Sequence, residues 1–301
     1  MGEARLPPPN PFLYSTPMSL AGQVGALLKA RAGFARGYLD RRRDFPVSPW
    51  GVAATSLRPP FPFIAPRYIA SIGEAGEFLE VRLRGIDRPL FWPRAVARND
   101  LLIVVTETFH PPDWHFYEVP ETTVRDGDVV LDCGAAEGAF ALRVHSRAGE
   151  VIAFEPSPSW RESLRRTFAG SNVTVVEAGV GAAEGVAAFD GAGLQGRLGP
   201  SVSDAEHRVP VTTVDAWAMG RRVDYIKADV EGFEMEMLRG AAATISRFKP
   251  RLALTVYHPG NDWAEMVTFL RGIAPSYNYR VKGVSLLAGR PQPVMLHAWS
   301  D

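Results

Sequence analysis

Lys227, Asp229 and Glu231 stand at alternate positions in the run Asp224-Tyr225-Ile226-Lys227-Ala228-Asp229-Val230-Glu231-Gly232-Phe233-Glu234, which starts apolar and ends acidic. Alternation along a strand puts Lys227 and Asp229 on one face, and Glu231 joins them if the strand persists. Burying three titratable groups at the end of an inner strand is costly unless they pair or act on a ligand. A Lys–Asp pair beside a helix N-cap is the structural alternative. His258 follows the apolar run Leu252–Tyr257 and precedes Pro259-Gly260. Its intrinsic pKa suits general-base work, although a histidine at a strand end can equally be structural. Asp229, Glu231 and His258 could also share a divalent cation. Oxygen-rich ligands favour a magnesium-like ion, but the sequence holds no compact metal-binding motif.

A second reactive stretch is Val129-Val130-Leu131-Asp132-Cys133-Gly134-Ala135-Ala136-Glu137-Gly138. It reads as a buried strand running into a glycine-bracketed turn, then a short helix (Ala139 to Arg147) and a second strand, Val151 to Phe154, closed by Glu155. This arrangement holds adenosine-containing cofactors: glycines let the backbone approach the ligand, and the acid accepts hydrogen bonds from both ribose hydroxyls. A dinucleotide fingerprint would need G-x-G-x-x-G, whereas those places hold Gly134, Ala136 and Ala139. A nicotinamide-dependent oxidoreductase therefore stays open as the poorer fit. S-adenosylmethionine has no phosphate, and its loop need only pass the methionine end and the ribose.

The elements that must position these groups alternate. Strands are expected at Asp128–Cys133, Val151–Glu155, Val173–Glu177, Tyr225–Asp229 and Leu252–Tyr257, with helices between most of them. Ser159 and Glu162 form a capping-box pattern ahead of Trp160, Leu164 and Phe168. Met235, Leu238, Ala242 and Ile245 make one further helical stripe, and Asp262 caps another helix carrying Trp263, Met266, Val267 and Leu270. Two closing runs, Tyr277–Val284 and Val294–Trp299, flank a turn at Gly289-Arg290-Pro291 and suggest an antiparallel edge. The pattern predicts a mostly parallel doubly wound α/β sheet with its ligand beyond the C-terminal strand ends.

Ahead of this domain, whose boundary is expected near Thr122, residues 1–121 read as an α+β extension. It has a Pro-rich start, a helix from Ser19 to Asp40 ending in Arg41-Arg42-Arg43, irregular chain over residues 50–66, and two antiparallel strands at Phe78–Leu83 and Leu90–Val96. Asn99 to Pro120 then gathers Phe109, His110, Asp113, Trp114, His115, Phe116, Tyr117 and Glu118. The basic helix could touch a membrane surface, but packing or a homodimer arm is the plainer reading.

Bulk composition excludes several classes. With 33 Lys+Arg against 33 Asp+Glu, no broad basic surface for nucleic acid is expected. The longest aliphatic run, Leu101 to Val105, is too short to span a bilayer, and Met1 to Asn10 lacks a signal-peptide core. The single cysteine, Cys133, excludes an internal disulfide framework, suits the cytoplasm and reads as a small core residue.

Three motifs in order, Asp132-x-Gly134-Ala135-x-Glu137-Gly138, Phe154-Glu155-Pro156 and Lys227-x-Asp229-x-Glu231-Gly232, resemble the FkbM family of S-adenosylmethionine-dependent methyltransferases. Asn172–Gly181 and Val211–Trp217 resemble further family segments, so the likeness runs over about residues 97–275. The resemblance implies a Rossmann-like seven-strand methyltransferase fold and O-methylation of a small molecule, sugar or natural product. It assigns Gly134 and Ala135 to the methionine end of the cofactor, with Asp132 and Glu137 supporting the loop or the amino group and Gly138 also among the cofactor-binding residues. Glu155 would bind the ribose, Pro156 and Ser157 would border the adenine, and Ala178 and Gly179 would cover its other side. Tyr117 would lid the cofactor or serve as ordinary cover. In that setting His258 would deprotonate an acceptor hydroxyl that Asp229 and Glu231 position. A non-catalytic scaffold on the same fold is the remaining alternative.

Overall fold

The computed structural model describes residues 59–190, 197–199, 207–285 and 292–301. The expected helix from Ser19 to Asp40 and the turn at Gly289-Arg290-Pro291 lie outside them, as does part of the stretch between Ala182 and Arg208.

The described chain begins with a short helix α1 (Phe61–Ile64) and a three-stranded antiparallel sheet, β1 (Ile69–Ala75), β2 (Phe78–Leu83) and β3 (Leu90–Pro93). β1 was not expected; its side chains are mostly exposed, so no alternation of apolar and polar residues marks it. Helix α2 (Arg98–Phe109) was also unexpected. Five consecutive aliphatic residues, Leu101 to Val105, hide its period, although Leu101, Val104, Val105 and Thr108 form a buried helical stripe.

The main sheet has seven strands: β4 (Val129–Cys133), β5 (Glu150–Phe154), β6 (Val173–Val176), β11 (Tyr225–Ala228), β12 (Arg251–Thr255), β13 (Asn278–Ser285) and β14 (Gln292–Trp299). Their order is β13-β14-β12-β11-β4-β5-β6. β6, β5, β4, β11 and β12 run parallel, and β14 pairs antiparallel with both β12 and β13. The antiparallel strand therefore lies one place in from the edge, with β13 outside it. The central strands are apolar almost throughout because both faces are covered. Along β4, Val130 packs into one cluster and Leu131 into the other; along β5, Val151 and Ala153 oppose Ile152 and Phe154.

One face carries α3 (Ala139–Val144), α4 (Pro158–Phe168) and the N-terminal unit. Trp92 of β3 meets Trp160 of α4 edge-on at 5.5 Å, and Ser163 Oγ donates to the Phe91 carbonyl at 2.6 Å. The cluster runs without a break from Ala65 to Met295, across the expected boundary at Thr122. The other face carries α5 (Val214–Ala218), α6 (Glu234–Arg239), α7 (Ala242–Phe248) and α8 (Trp263–Ile273). α6 and α7 replace the single expected helix. They part at Gly240, where a Cβ would overlap the Gly181 carbonyl oxygen, so the chain bends to let two backbones touch. α4 is capped by Ser157, whose Oγ accepts from the Ser159 amide at 3.3 Å, rather than by Ser159; Pro158 takes the first helical position. Asp262 caps α8 as expected, accepting from the Ala264 amide at 2.8 Å. A small second sheet joins β7 (Gly179–Val180), β8 (Gly185–Asp190), β9 (Arg197–Gly199) and β10 (His207–Thr212) in the order β7-β10-β8-β9.

Candidate active site

Chain order along the sheet reverses between β4 and β11. The loops leaving these strands diverge there and open a crevice at the C-terminal strand ends. Gly134 ends β4 with φ +74°, and a Cβ at this position would overlap the Asp229 carbonyl oxygen. Only glycine lets the two strand ends approach so closely. Lys227 bridges them: its Nζ lies 2.9 Å from Asp132 Oδ1 and donates to the Gly134 carbonyl at 2.6 Å. Burial disfavours the ammonium, but Asp132 and Asp229 outweigh it and hold Lys227 above the ordinary lysine range. Asp132 is fully buried behind Lys227.

The backbone amides of the Gly134–Gly138 loop are engaged internally. Gly134 and Ala135 both donate to the Phe154 carbonyl at 3.0 Å, and Gly138 donates to Ala135 at 2.7 Å. Ala136 donates to Glu155 Oε2 at 2.7 Å, and Ala139 to Glu137 Oε1 at 3.3 Å. Glu155 Oε1 accepts from the Ser157 amide at 2.7 Å. Burial raises both Glu137 and Glu155 to about 7. Pro156 is half-buried, and Ala178 and Gly179 are buried just past β6, the neighbour of β5. Burial likewise pushes the Cys133 thiol up, as a core residue requires.

The second half of the crevice differs from the sequence expectation. β11 ends at Ala228, so Glu231 does not continue its register; it sits in a turn with φ +55°. The turn still brings Glu231 to His258, with Oε2 3.5 Å from Nε2, while Asp229 Oδ1 stands 3.7 Å from the same nitrogen. Asp229 and Glu231 are half-buried, and His258 is buried. His258 Nδ1 lies 2.9 Å from Glu234 Oε1. Glu234 is fully buried and also accepts from the Val230 and Gly232 amides, the Thr255 hydroxyl and Asn261 Nδ2, at 2.6 to 3.1 Å. Burial works against the imidazolium, but Glu234, Glu231 and Asp229 overcome it and raise His258 to about 10. The intrinsic pKa that recommended His258 as a general base is thus displaced. In this state the ring carries its proton at neutral pH, and its place in the site has to rest on geometry.

Asp229 also binds the aromatic wall. Tyr117 donates its hydroxyl to Oδ2 at 2.7 Å, and Tyr117 packs edge-on against Phe140 and His115. His115 Nε2 lies 3.2 Å from the Tyr257 hydroxyl and 3.7 Å from Asp229 Oδ2. Burial drives His115 down to about 4. Burial opposes ionisation of Asp229, yet His115, Lys227 and His258 hold it down to about 2; with His115 neutral at pH 7, Lys227 and His258 do the holding. Sequence reasoning gave no role to His115, Glu234, Thr255, Tyr257 or Asn261. Glu234 lay inside the quoted acidic run and His115 inside the aromatic segment, but only the fold brings them to Asp229 and His258. At the opposite strand ends a polar cleft lies among Asp128, Asp224, Lys249 and Arg251, in which Asp128 pairs with Arg251 at 2.7 Å and Asp224 with Arg222 at 2.6 Å.

No curated protein matches the chain. Among solved structures, methyltransferase FkbM from Methylobacillus flagellatus KT is 22% identical, with 67% of this chain and 54% of that one covered and a TM-score of 0.46. This chain thus spans about half the length of that protein. An rRNA methylase from Streptococcus thermophilus is 11% identical, with coverages of 59% and 89% and a TM-score of 0.39. Magnesium protoporphyrin IX methyltransferase from Synechocystis PCC 6803, with bound SAM, is 13% identical, with coverages of 58% and 71% and a TM-score of 0.36. The family model of the methyltransferase FkbM domain matches residues 132–281, from the acid of the glycine loop through both halves of the crevice, and the chain belongs to the FkbM methyltransferase family.

Proposed function

We propose that the protein transfers a methyl group from S-adenosylmethionine to a hydroxyl of a small-molecule, sugar or natural-product acceptor. One observation carries the choice of cofactor. The amides of Gly134, Ala135, Ala136, Gly138 and Ala139 are all engaged within the protein, and Asp132, Glu137 and Glu155 surround the same loop. A diphosphate needs free amides and repels carboxylates, whereas a cationic, phosphate-free adenosine ligand suits them. Glu155 would hold the ribose hydroxyls, the Gly134–Ala135 backbone would line the methionine end, and Pro156, Ser157, Ala178 and Gly179 would enclose the adenine. When bound, the sulfonium supplies the electrophilic methyl carbon.

The acceptor then belongs beside Asp229 and Glu231. Methyl transfer is an in-line displacement, so the protein must align the acceptor oxygen, exclude water and take up its proton. Asp229 and Glu231 would accept the acceptor's O–H as a hydrogen bond, and Glu231, the more exposed at 27%, is the better placed to receive its proton. Tyr117, His115 and Tyr257 wall the crevice against water, and Tyr117 fixes the Asp229 carboxylate. The test is incubation with methyl-labelled S-adenosylmethionine and a panel of hydroxylated saccharides and polyketides. Products heavier by one methylene, labelled on oxygen, support the proposal; labelling on nitrogen or carbon would contradict it.

A further inference from the structure

We propose that Asp229, Glu231 and His258 form a binding site for one divalent cation of the Mn2+ type. The three residues come from the loops after two adjacent strands, and each offers one ligand atom within 4.8 Å of the others. His258 Nε2 is 3.5 Å from Glu231 Oε2 and 3.7 Å from Asp229 Oδ1. Both separations exceed a hydrogen bond. They come close to the spacing of about 3 to 3.5 Å between neighbouring donors around an ion held at about 2.1 Å.

The imidazole is built to present that nitrogen, with the ion taking the place of the proton the ring otherwise carries there. His258 is 4% exposed, and its Nδ1 lies 2.9 Å from Glu234 Oε1, which leaves Nε2 aimed between the two carboxylates. Glu234 is itself fixed by two backbone amides, the Thr255 hydroxyl and Asn261 Nδ2. A carboxylate that fixes the far nitrogen of a histidine is the usual second layer of a metal site, where it sets the tautomer and the ring orientation. Charge points the same way. Asp229, Glu231 and Glu234 all face the His258 ring. One nitrogen with two carboxylate oxygens suits Mn2+ better than Ca2+, which takes oxygen alone. The site stands apart from the cofactor reading; its use, orienting and acidifying an acceptor hydroxyl at the ion's open positions, rests on that reading.

The test is a titration of the full chain at pH 8 with Mn2+ alone, no cofactor present, followed by electron paramagnetic resonance of the free ion. One ion per chain is expected. Glu231→Gln and His258→Gln should each weaken binding at least 10-fold, and Glu234→Gln, one layer out, by about 10-fold. Glu265→Gln, exposed on α8, should bind as the wild type does. Circular dichroism checks that each variant folds; Glu231 lies in a half-exposed turn, so its variant decides the matter if His258→Gln does not fold. No stoichiometric Mn2+, or wild-type affinity in Glu231→Gln, would overturn the site. Either result leaves the cofactor reading standing, and a protein that binds Mn2+ but not S-adenosylhomocysteine would fail that reading alone.

Discussion

Glu155 holds its carboxylate between the Ala136 and Ser157 amides, and burial raises it to about 7 despite these donors. Ribose hydroxyls donate to the ionised form, so cofactor binding pulls the acid toward ionisation. Affinity for S-adenosylhomocysteine should therefore rise about fivefold to tenfold from pH 6 to pH 8, as the free protein's Glu155 loses its proton. In Glu155→Gln it should be weaker and flat over that range; calorimetry at the two pH values reads both. At the other end of the crevice, His258→Ala removes the nitrogen ligand of the proposed ion and should lower turnover at least 10-fold with S-adenosylhomocysteine affinity unchanged. Unchanged turnover would remove His258 from the reaction. Its position after β12 was legible in the sequence, but its charge state was not. The carboxylate that governs it, Glu234, arrives from the start of α6, and no spacing rule links residues 24 apart in the chain.

The seven main strands were legible to within a residue or two, and the five central ones stood out because buried parallel strands are continuous apolar runs. The helices were less so. Met235 to Ile245 has the period of one helix, yet Gly240 must meet Gly181, a contact that only the folded backbone reveals. Glu231 misled for a related reason: alternation assumes that the strand continues, and here a left-handed turn follows Ala228. At this scale the glycine at the end of β4 makes the sharpest prediction. Gly134→Ala combines φ +74° with overlap on the Asp229 carbonyl, and should cost about 2–4 kcal/mol in urea unfolding while also disturbing both halves of the crevice. A loss below about 0.5 kcal/mol would mean that β4 and β11 need not approach so closely.

Across the whole molecule, β14 is tied to the turn ahead of β4 by the Thr122 hydroxyl and His297 Nδ1 at 2.8 Å. Burial holds His297 down to about 3, with Lys282 and Arg280 of β13 adding to the effect. The unfolded chain takes up this proton below pH 6.5 and the native protein does not, so the contribution is intact above pH 6.5 and is lost as pH falls toward 3. Wild type should lose about 2 kcal/mol more than His297→Gln between pH 6.5 and pH 5 in urea unfolding. Equal losses would place the acid sensitivity elsewhere. Such long-range pairs, and the joint core of the N-terminal unit and the main sheet, depend on topology and left no mark in the sequence. The two halves of the crevice did leave marks, because strand order alone brings the Gly134 loop and Asp229 together. The measurement that tests this account most directly is a calorimetric titration with S-adenosylhomocysteine, run beside NADH and repeated on Glu155→Ala. Micromolar binding of S-adenosylhomocysteine that is lost in the variant, with no response to NADH, is the predicted result; binding of NADH in its place, or of neither ligand, would contradict it.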